Sequence, residues 1–132
     1  MCQLLIVIGL PGSGKSTYCS YFKDRLIIDD FLNTMFNGDL IKYLKEGKKI
    51  IINDPRLCIK KTFLRTMTQL ERLLDRKDIC LFLMLVGIDQ CRLNIMRRHE
   101  DGDIRNVEKN LEYMYTQYDL NNYNGYSKRF VI

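Results

Sequence analysis

Apolar residues fall into two kinds of stretch along this chain. Leu4 to Ile8, Ile50 to Ile52 and Ile79 to Val86 are unbroken runs of strand length. Elsewhere apolar residues recur at every third or fourth position, as in Ile59, Phe63, Met67, Leu70 and Leu74. Unbroken runs mark strands buried on both faces, and the 3.6-residue period marks helices with one inner face. The pattern predicts strands over residues 3–8, 25–28, 48–53 and 79–86, and a final edge strand over 127–132. Helices are predicted over 15–24, with Tyr18, Cys19 and Phe22 inward, and over 39–46, closed by Gly47. Another is predicted to run from an Asp54-Pro55 start to about Asp75, an acidic N-cap followed by proline at the first helical position. Residues 31–36 are one or two helical turns before Gly38. Residues 87–99 form a further helix. Asp103 caps the last one, whose inner face is Ile104, Val107, Leu111, Met114, Tyr115 and Tyr118. Strands alternating with helices imply an α/β fold: a doubly wound parallel sheet of about five strands with helices on both faces.

Composition narrows this picture a little. A chain of 132 residues, 46% hydrophobic and 28% charged, suits one globular domain spanning residues 1–132. No apolar run reaches the ~18 residues needed to cross a bilayer, so no membrane association is expected. The first apolar run has no basic segment before it and belongs to the first strand, so it is not read as a signal peptide. The five cysteines, Cys2, Cys19, Cys58, Cys80 and Cys91, show no CxxC spacing. They are expected to be free thiols in a reducing, cytoplasmic setting. The net charge of +5 is compatible with polyanionic partners without requiring them. No obligate protein partner is evident.

One stretch carries specific chemistry. The first strand runs into Gly9-Leu10-Pro11-Gly12-Ser13-Gly14-Lys15-Ser16-Thr17, the Gly-x-x-x-x-Gly-Lys-Ser spacing of a P-loop. Its backbone N–H groups wrap a triphosphate, Lys15 reaches the β- and γ-phosphates, and the Ser16 hydroxyl binds Mg²⁺. Residues 9 and 11–17 are therefore the expected cradle for ATP or another nucleoside triphosphate. A glycine-rich turn that binds nothing would have no use for the Lys-Ser-Thr ending.

Ligands of such sheets lie beyond the carboxyl ends of the strands. The second strand ends at Asp29-Asp30, the third at Asn53-Asp54, and the fourth leads into a helix bearing Arg92, Arg97 and Arg98. Phosphoryl transfer to an alcohol requires a phosphate cradle, a metal, a base and positive charge on the moving group. Asp29 is the expected base, with Asp30 as cap or support. Asp54 is a helix N-cap that could also hold a Mg²⁺-bound water. Arg97 and Arg98 are expected to stabilise charge during transfer, but they project about 100° apart, so one of them should face inward. His99, the single histidine, has no metal-ligand partner at suitable spacing.

With these residues in view, the layout resembles the small P-loop kinases of the phage polynucleotide kinase type. The resemblance rests on GLPGSGKST, the Asp pair after strand two, the Asp after strand three and a short arginine-bearing lid. It implies transfer of the ATP γ-phosphate to a 5′-hydroxyl of DNA or RNA. Lys15 and Ser16 would hold phosphate and metal, Asp29 would match the base, Asp54 the strand-three carboxylate, and Arg97 or Arg98 the lid. That family tends to carry an arginine a few residues after the Asp pair, on the acceptor's phosphate. Here the stretch is Phe31-Leu32-Asn33-Thr34, which has no cation. The lid arginines are also compressed into one pair, followed by acidic residues. A kinase for a small molecule, nucleoside or nucleotide is the alternative, as is a nucleotide-binding or NTPase module without an acceptor. A nucleic acid acceptor further predicts a groove-side basic surface from Lys42, Lys45, Lys48, Lys49, Lys60 and Lys61. Tyr18, Tyr21, Phe22, Phe31 and Phe36 hint at base stacking but read first as packing residues.

Overall fold

The computed structural model describes residues 2–33, 38–98 and 105–132, the side chains of Arg105 and Asn106 excepted. Five parallel strands make one sheet: β1 (Leu4–Ile8), β2 (Leu26–Ile28), β3 (Ile50–Asn53), β4 (Ile79–Met84) and β5 (Ser127–Val131). Their order is β2-β3-β1-β4-β5. Ile6 stands opposite Ile52 on one side and Leu81 on the other. The expected α/β sheet is therefore present, with β5 on an edge. All carboxyl ends share one rim because every pairing is parallel.

Alternate residues of each central strand enter different cores, as the two-residue strand period demands. Leu4, Ile6 and Ile8 join Ile50, Ile52, Ile79, Leu81 and Leu83 in the larger core. It is closed by α2 (Gly38–Lys45), α3 (Lys60–Leu70), α4 (Ile88–Arg98) and α5 (Arg105–Gln117). Leu5, Val7, Ile51, Phe82 and Met84 form the smaller core on the other face. Among the described residues its helical cover is α1 (Lys15–Cys19), through Cys19, with Tyr18 and the following Phe22 packed alongside. Phe31 is fully buried, so packing rather than base stacking accounts for Tyr18, Phe22 and Phe31. Tyr21 is exposed. Phe36 lies outside the described residues.

Several boundaries differ from the sequence expectation. The first helix ends at Cys19, because the Ser20 hydroxyl donates back to the Thr17 carbonyl and competes with the helical ladder. The segment expected as one helix from Asp54 is a tight turn over Pro55–Cys58, an extended Ile59, and then α3. The Tyr123 hydroxyl donates to the Leu57 carbonyl at 2.7 Å, taking the acceptor that a continuing helix would use. On α5, Val107, Leu111 and Met114 face the core, as does Tyr118 just past its end, while Tyr115 is exposed, since it sits at the edge of that stripe. His99, Asp103 and Ile104, with the end of the 31–36 turns, lie outside the described residues. All five cysteines are unpaired, and Cys19, Cys58 and Cys91 are buried. Among the described residues no helix is long and apolar enough to cross a membrane.

Candidate phosphate-binding site

The loop after β1 is shaped by close contact with α4. Gly12 has φ +80, and a Cβ there would come within 2.5 Å of the Cys91 carbonyl oxygen and 2.9 Å of Ile95 Cγ1. Only glycine satisfies both the left-handed backbone and the missing space. At Gly9 a Cβ would meet Ser13 Oγ at 2.6 Å and Met84 Cβ at 2.7 Å. Asn94 of α4 donates its side-chain amide to the Gly12 carbonyl at 2.8 Å, and Gln90 donates to the Asn94 oxygen at 2.9 Å. The Tyr118 hydroxyl lies 2.9 Å from the Met84 carbonyl and 3.3 Å from that of Ile8, tying the ends of β1 and β4 to α5. Burial pushes the Tyr118 hydroxyl pKa up, so it stays a donor across the working pH range.

The loop opens on a cleft of about 250 Å³ lined by Pro11, Gly12, Gly14, Lys15, Ser16, Thr17, Asp30, Asn53, Pro55 and Arg98. Gly9 and Ser13 are not among the lining residues, and Ser13 Oγ is a buried polar atom with no hydrogen-bond partner among the described residues. Lys15 is 8% exposed, and its Nζ donates to the Leu10 carbonyl at 2.8 Å. The Ser13 N–H donates to the same carbonyl at 3.0 Å. Burial pushes the Lys15 ammonium pKa down, and the nearby Arg98 pushes the same way while Asp54 opposes it. Among the described residues no carboxylate pairs with this ammonium, whose hydrogen-bond partner is the neutral Leu10 carbonyl.

The strand-end acids divide by environment. Asp29 is exposed and accepts from the Asn53 amide at 2.5 Å and from Ser16 Oγ at 3.5 Å. Asp30 adopts φ +47, which aspartate tolerates better than most residues, and its carbonyl starts the turn over Phe31–Asn33. Asp54 is fully buried. One of its oxygens accepts from Arg56 N–H and Arg56 Nε, and the other from Leu32 N–H and Arg56 Nη2. Its helix-capping role is visible. Its oxygens are already engaged by nitrogen donors, whereas Asp29 is the carboxylate beside the Ser16 hydroxyl. A hydroxyl and a carboxylate are hard oxygen ligands that suit Mg²⁺, which keeps waters and takes phosphate oxygens for the rest.

The cations divide as well. Arg97 and Arg98 are both exposed, and of the two it is Arg98 that lines the cleft. Arg92 ties α4 to α5 through Glu112, 3.6 Å away, and also pairs with Asp89. Lys48 and Lys49 precede β3, so they sit at the rim opposite the cleft, with Lys48 paired to Glu46. Lys60 and Lys61 open α3 on the cleft's own side of the sheet. The expected single basic surface is therefore split between the two rims. A larger groove of about 570 Å³, lined in part by Cys2, Arg25, Cys80, Phe82 and Arg129, lies beside the smaller core and away from the P-loop. Sequence reasoning missed Arg56, Asn94 and the orienting role of Asn53. The only local signal was their position after a strand or one helical turn from an inward-facing residue.

These features define an α/β fold of the P-loop type, which solved structures share. A chain of the Pnkp1/Rnl/Hen1 RNA repair complex aligns with 88% of this chain, at TM-score 0.58 and 19% identity. This chain spans 46% of that one, about half its length. A gluconokinase from Sinorhizobium meliloti 1021 aligns over 96% of this chain and 81% of its own, at TM-score 0.60 and 10% identity. An uncharacterized protein from Eubacterium ventriosum ATCC 27560 aligns over 98% and 89%, at TM-score 0.53 and 14% identity. No family model matches the sequence. The chain belongs to the same family as the uncharacterized protein R277 of Acanthamoeba polyphaga mimivirus. The two are 35% identical over 128 residues, which cover 94% of this chain and 91% of R277.

Proposed function

We propose that this chain is an ATP-dependent phosphotransferase that moves a γ-phosphate to a hydroxyl, with the 5′-hydroxyl of a polynucleotide as its acceptor. The observation that carries this reading is the Ser16–Asp29–Asn53 contact at the mouth of the P-loop. A triphosphate cradle alone would serve a switch or an NTPase. A carboxylate fixed beside it, exposed and oriented by a buried amide, suits a group that takes a proton from an attacking alcohol.

Mg²⁺-bound ATP supplies the electrophilic phosphoryl group. Residues 9 and 11–17 would form its cradle, and Lys15 would exchange the Leu10 carbonyl for phosphate oxygens. Ser16 would hold Mg²⁺ with Asp29 nearby, and Asp54 would act on the site through Arg56 and the 31–33 turn. Asp29 accepts the acceptor's proton as the new oxygen–phosphorus bond forms and the bond to the β-phosphate oxygen breaks. Arg98 balances charge on the moving group, with Arg97 outside it on the lid. The RNA repair complex and the gluconokinase share the fold and so leave the acceptor open, which is why the test compares acceptors.

The test is γ-phosphate transfer measured side by side on 5′-hydroxyl DNA, 5′-hydroxyl RNA, nucleosides, nucleoside monophosphates and gluconate. Label on a 5′-hydroxyl end is the expected result. Phosphate release without a labelled acceptor would leave only an NTPase. Asp29→Asn is expected to lower kcat by ~10²–10⁴-fold while keeping ATP binding. A larger loss in Asp30→Asn would move the base to Asp30.

A further inference from the structure

The two faces of the sheet are covered unequally. Four helices close the larger core, while among the described residues the smaller one has only the short α1. α1 stops at Cys19, and Phe22 then packs on Phe82 with ring centroids 5.8 Å apart. Arg25 is held at the amino ends of β1 and β3, and the chain leaves for β2, on the far side of β3. Among the described residues no helix crosses the β4–β5 half of this face. There Cys80 stands opposite Leu5 and Ser127, and Phe82 opposite Val7 and Arg129. Side chains at such paired positions share one face of a sheet. They floor the groove of about 570 Å³, a volume within the ~300–1,000 Å³ usual for small-molecule pockets.

The lining combines two chemistries. Leu5, Phe22, Phe82 and the Cys2 and Cys80 thiols make an apolar wall, a reduced thiol being a small apolar group. Arg25, Lys128 and Arg129 stand against a single carboxylate, Asp24. Arg25 is committed to three carbonyls, and Lys128 Nζ lies 3.5 Å from those of Tyr123 and Tyr126. Arg129 is exposed and, among the described residues, has no hydrogen bond or salt bridge. Burial pushes the Tyr18 hydroxyl and the Cys80 thiol up in pKa, and Arg129 opposes this at both, so its guanidinium stands beside the apolar wall.

We propose that this groove is a ligand site separate from the phosphate cleft, taking a small organic anion with a flat apolar body, such as an aryl sulfonate or carboxylate. The body lies against Leu5, Phe22 and Phe82, and the acidic group meets Arg129. A neutral apolar molecule gains the burial alone, and an inorganic anion gains a solvent-screened contact alone. The proposal stands without the phosphotransferase reading, since it uses no residue of the P-loop.

The probes are anilinonaphthalenesulfonate and phenylnaphthylamine, which share an aromatic body and differ in the acidic group. Both are titrated by fluorescence into the native chain, Arg129→Gln, Ser127→Trp and Lys15→Met. Native protein is expected to bind the sulfonate more tightly than the amine. Arg129→Gln should weaken the sulfonate by ~3–10-fold and leave the amine unchanged. Ser127→Trp fills the groove from an exposed edge-strand position and should abolish binding of both probes. Lys15→Met should change neither. The thiols give a readout that needs no variant: Cys2 and Cys80 line the groove half-buried, whereas Cys19, Cys58 and Cys91 are buried. With the sulfonate at about ten times its dissociation constant, maleimide labelling of Cys2 and Cys80 should slow by ~10-fold. If Ser127→Trp does not fold, the Arg129→Gln split and the labelling rates still decide. Labelling that ignores the probe, or equal weakening of both probes by Arg129→Gln, would overturn the proposal. So would sulfonate binding that is lost in Lys15→Met, which would place the probe in the phosphate cleft.

Discussion

Lys15 and Arg25 are both 8% exposed, and they occupy opposite rims of the sheet. Arg25 donates to the carbonyls of Cys2, Gln3 and Ile50 at 2.7–3.3 Å, closing the amino ends of β1 and β3. Among the described residues Lys15 has one hydrogen-bond partner, the Leu10 carbonyl, which it shares with the Ser13 N–H. Neither forms an ion pair among the described residues. The arginine's hydrogen bonds are met within the chain, so it holds the fold. The lysine's are not, and its burial lowers its pKa, which supports the proposal that it takes an anion. Equal burial thus separates a staple from a site once the partners are counted.

Within this comparison the largest expected effect comes from removing the buried ammonium. Lys15→Met should lower phosphoryl transfer by ~10²–10³-fold, the scale for losing one preorganised charge. It should leave Tm unchanged or higher, because a desolvated ammonium is gone. A Tm well below that of the native chain would make Lys15 a structural residue and erase the contrast. Arg25→Met should do the opposite. Three carbonyls lose a charged donor, costing ~3 kcal/mol, which lowers Tm by roughly 10 °C. Transfer by the folded fraction should be little changed, and a kcat loss without destabilisation would overturn the assignment.

The smallest effect is at Glu71, on the surface between α3 and β4. Arg76 Nε at 2.6 Å holds the Glu71 carboxyl below its usual range, helped by the Tyr126 hydroxyl at 3.1 Å. A carboxyl whose folded value is depressed stabilises above its unfolded value, and the gain fades as pH falls through the folded one. The urea midpoint of Arg76→Ala should therefore lie slightly below native at neutral pH and converge with it in acid. A constant gap across pH would assign the difference to Arg76 stacking on Tyr126 rather than to charge.

Much of the site was legible because its parts are contiguous. The P-loop is one run of residues, and Asp29 and Asp54 each come just after a short apolar run of strand type, buried in β3 and largely exposed in the edge strand β2. The expected α2, β3, β4 and β5 agree with the observed elements to within a few residues for the same reason. What escaped were contacts between residues far apart in the chain. Asn94 on the Gly12 carbonyl spans 82 positions, and Tyr118 reaches Ile8 across 110. The break at Ile59 depends on Tyr123, so no helix propensity near Ile59 could announce it.

By itself the sequence determined the sheet, the triphosphate loop and the acids at the strand ends, since periodicity and motif spacing act over a few neighbouring residues. Only the tertiary structure decided that Arg98 rather than Arg97 lines the cleft. It also decided that Asp29 stands beside Ser16 and that Arg56 occupies the place after Asp30 that the sequence left without charge. These outcomes turn on which strands are neighbours. β3 lies between β1 and β2, and that adjacency brings Asn53, Asp54 and Arg56 against the Asp29–Asn33 segment.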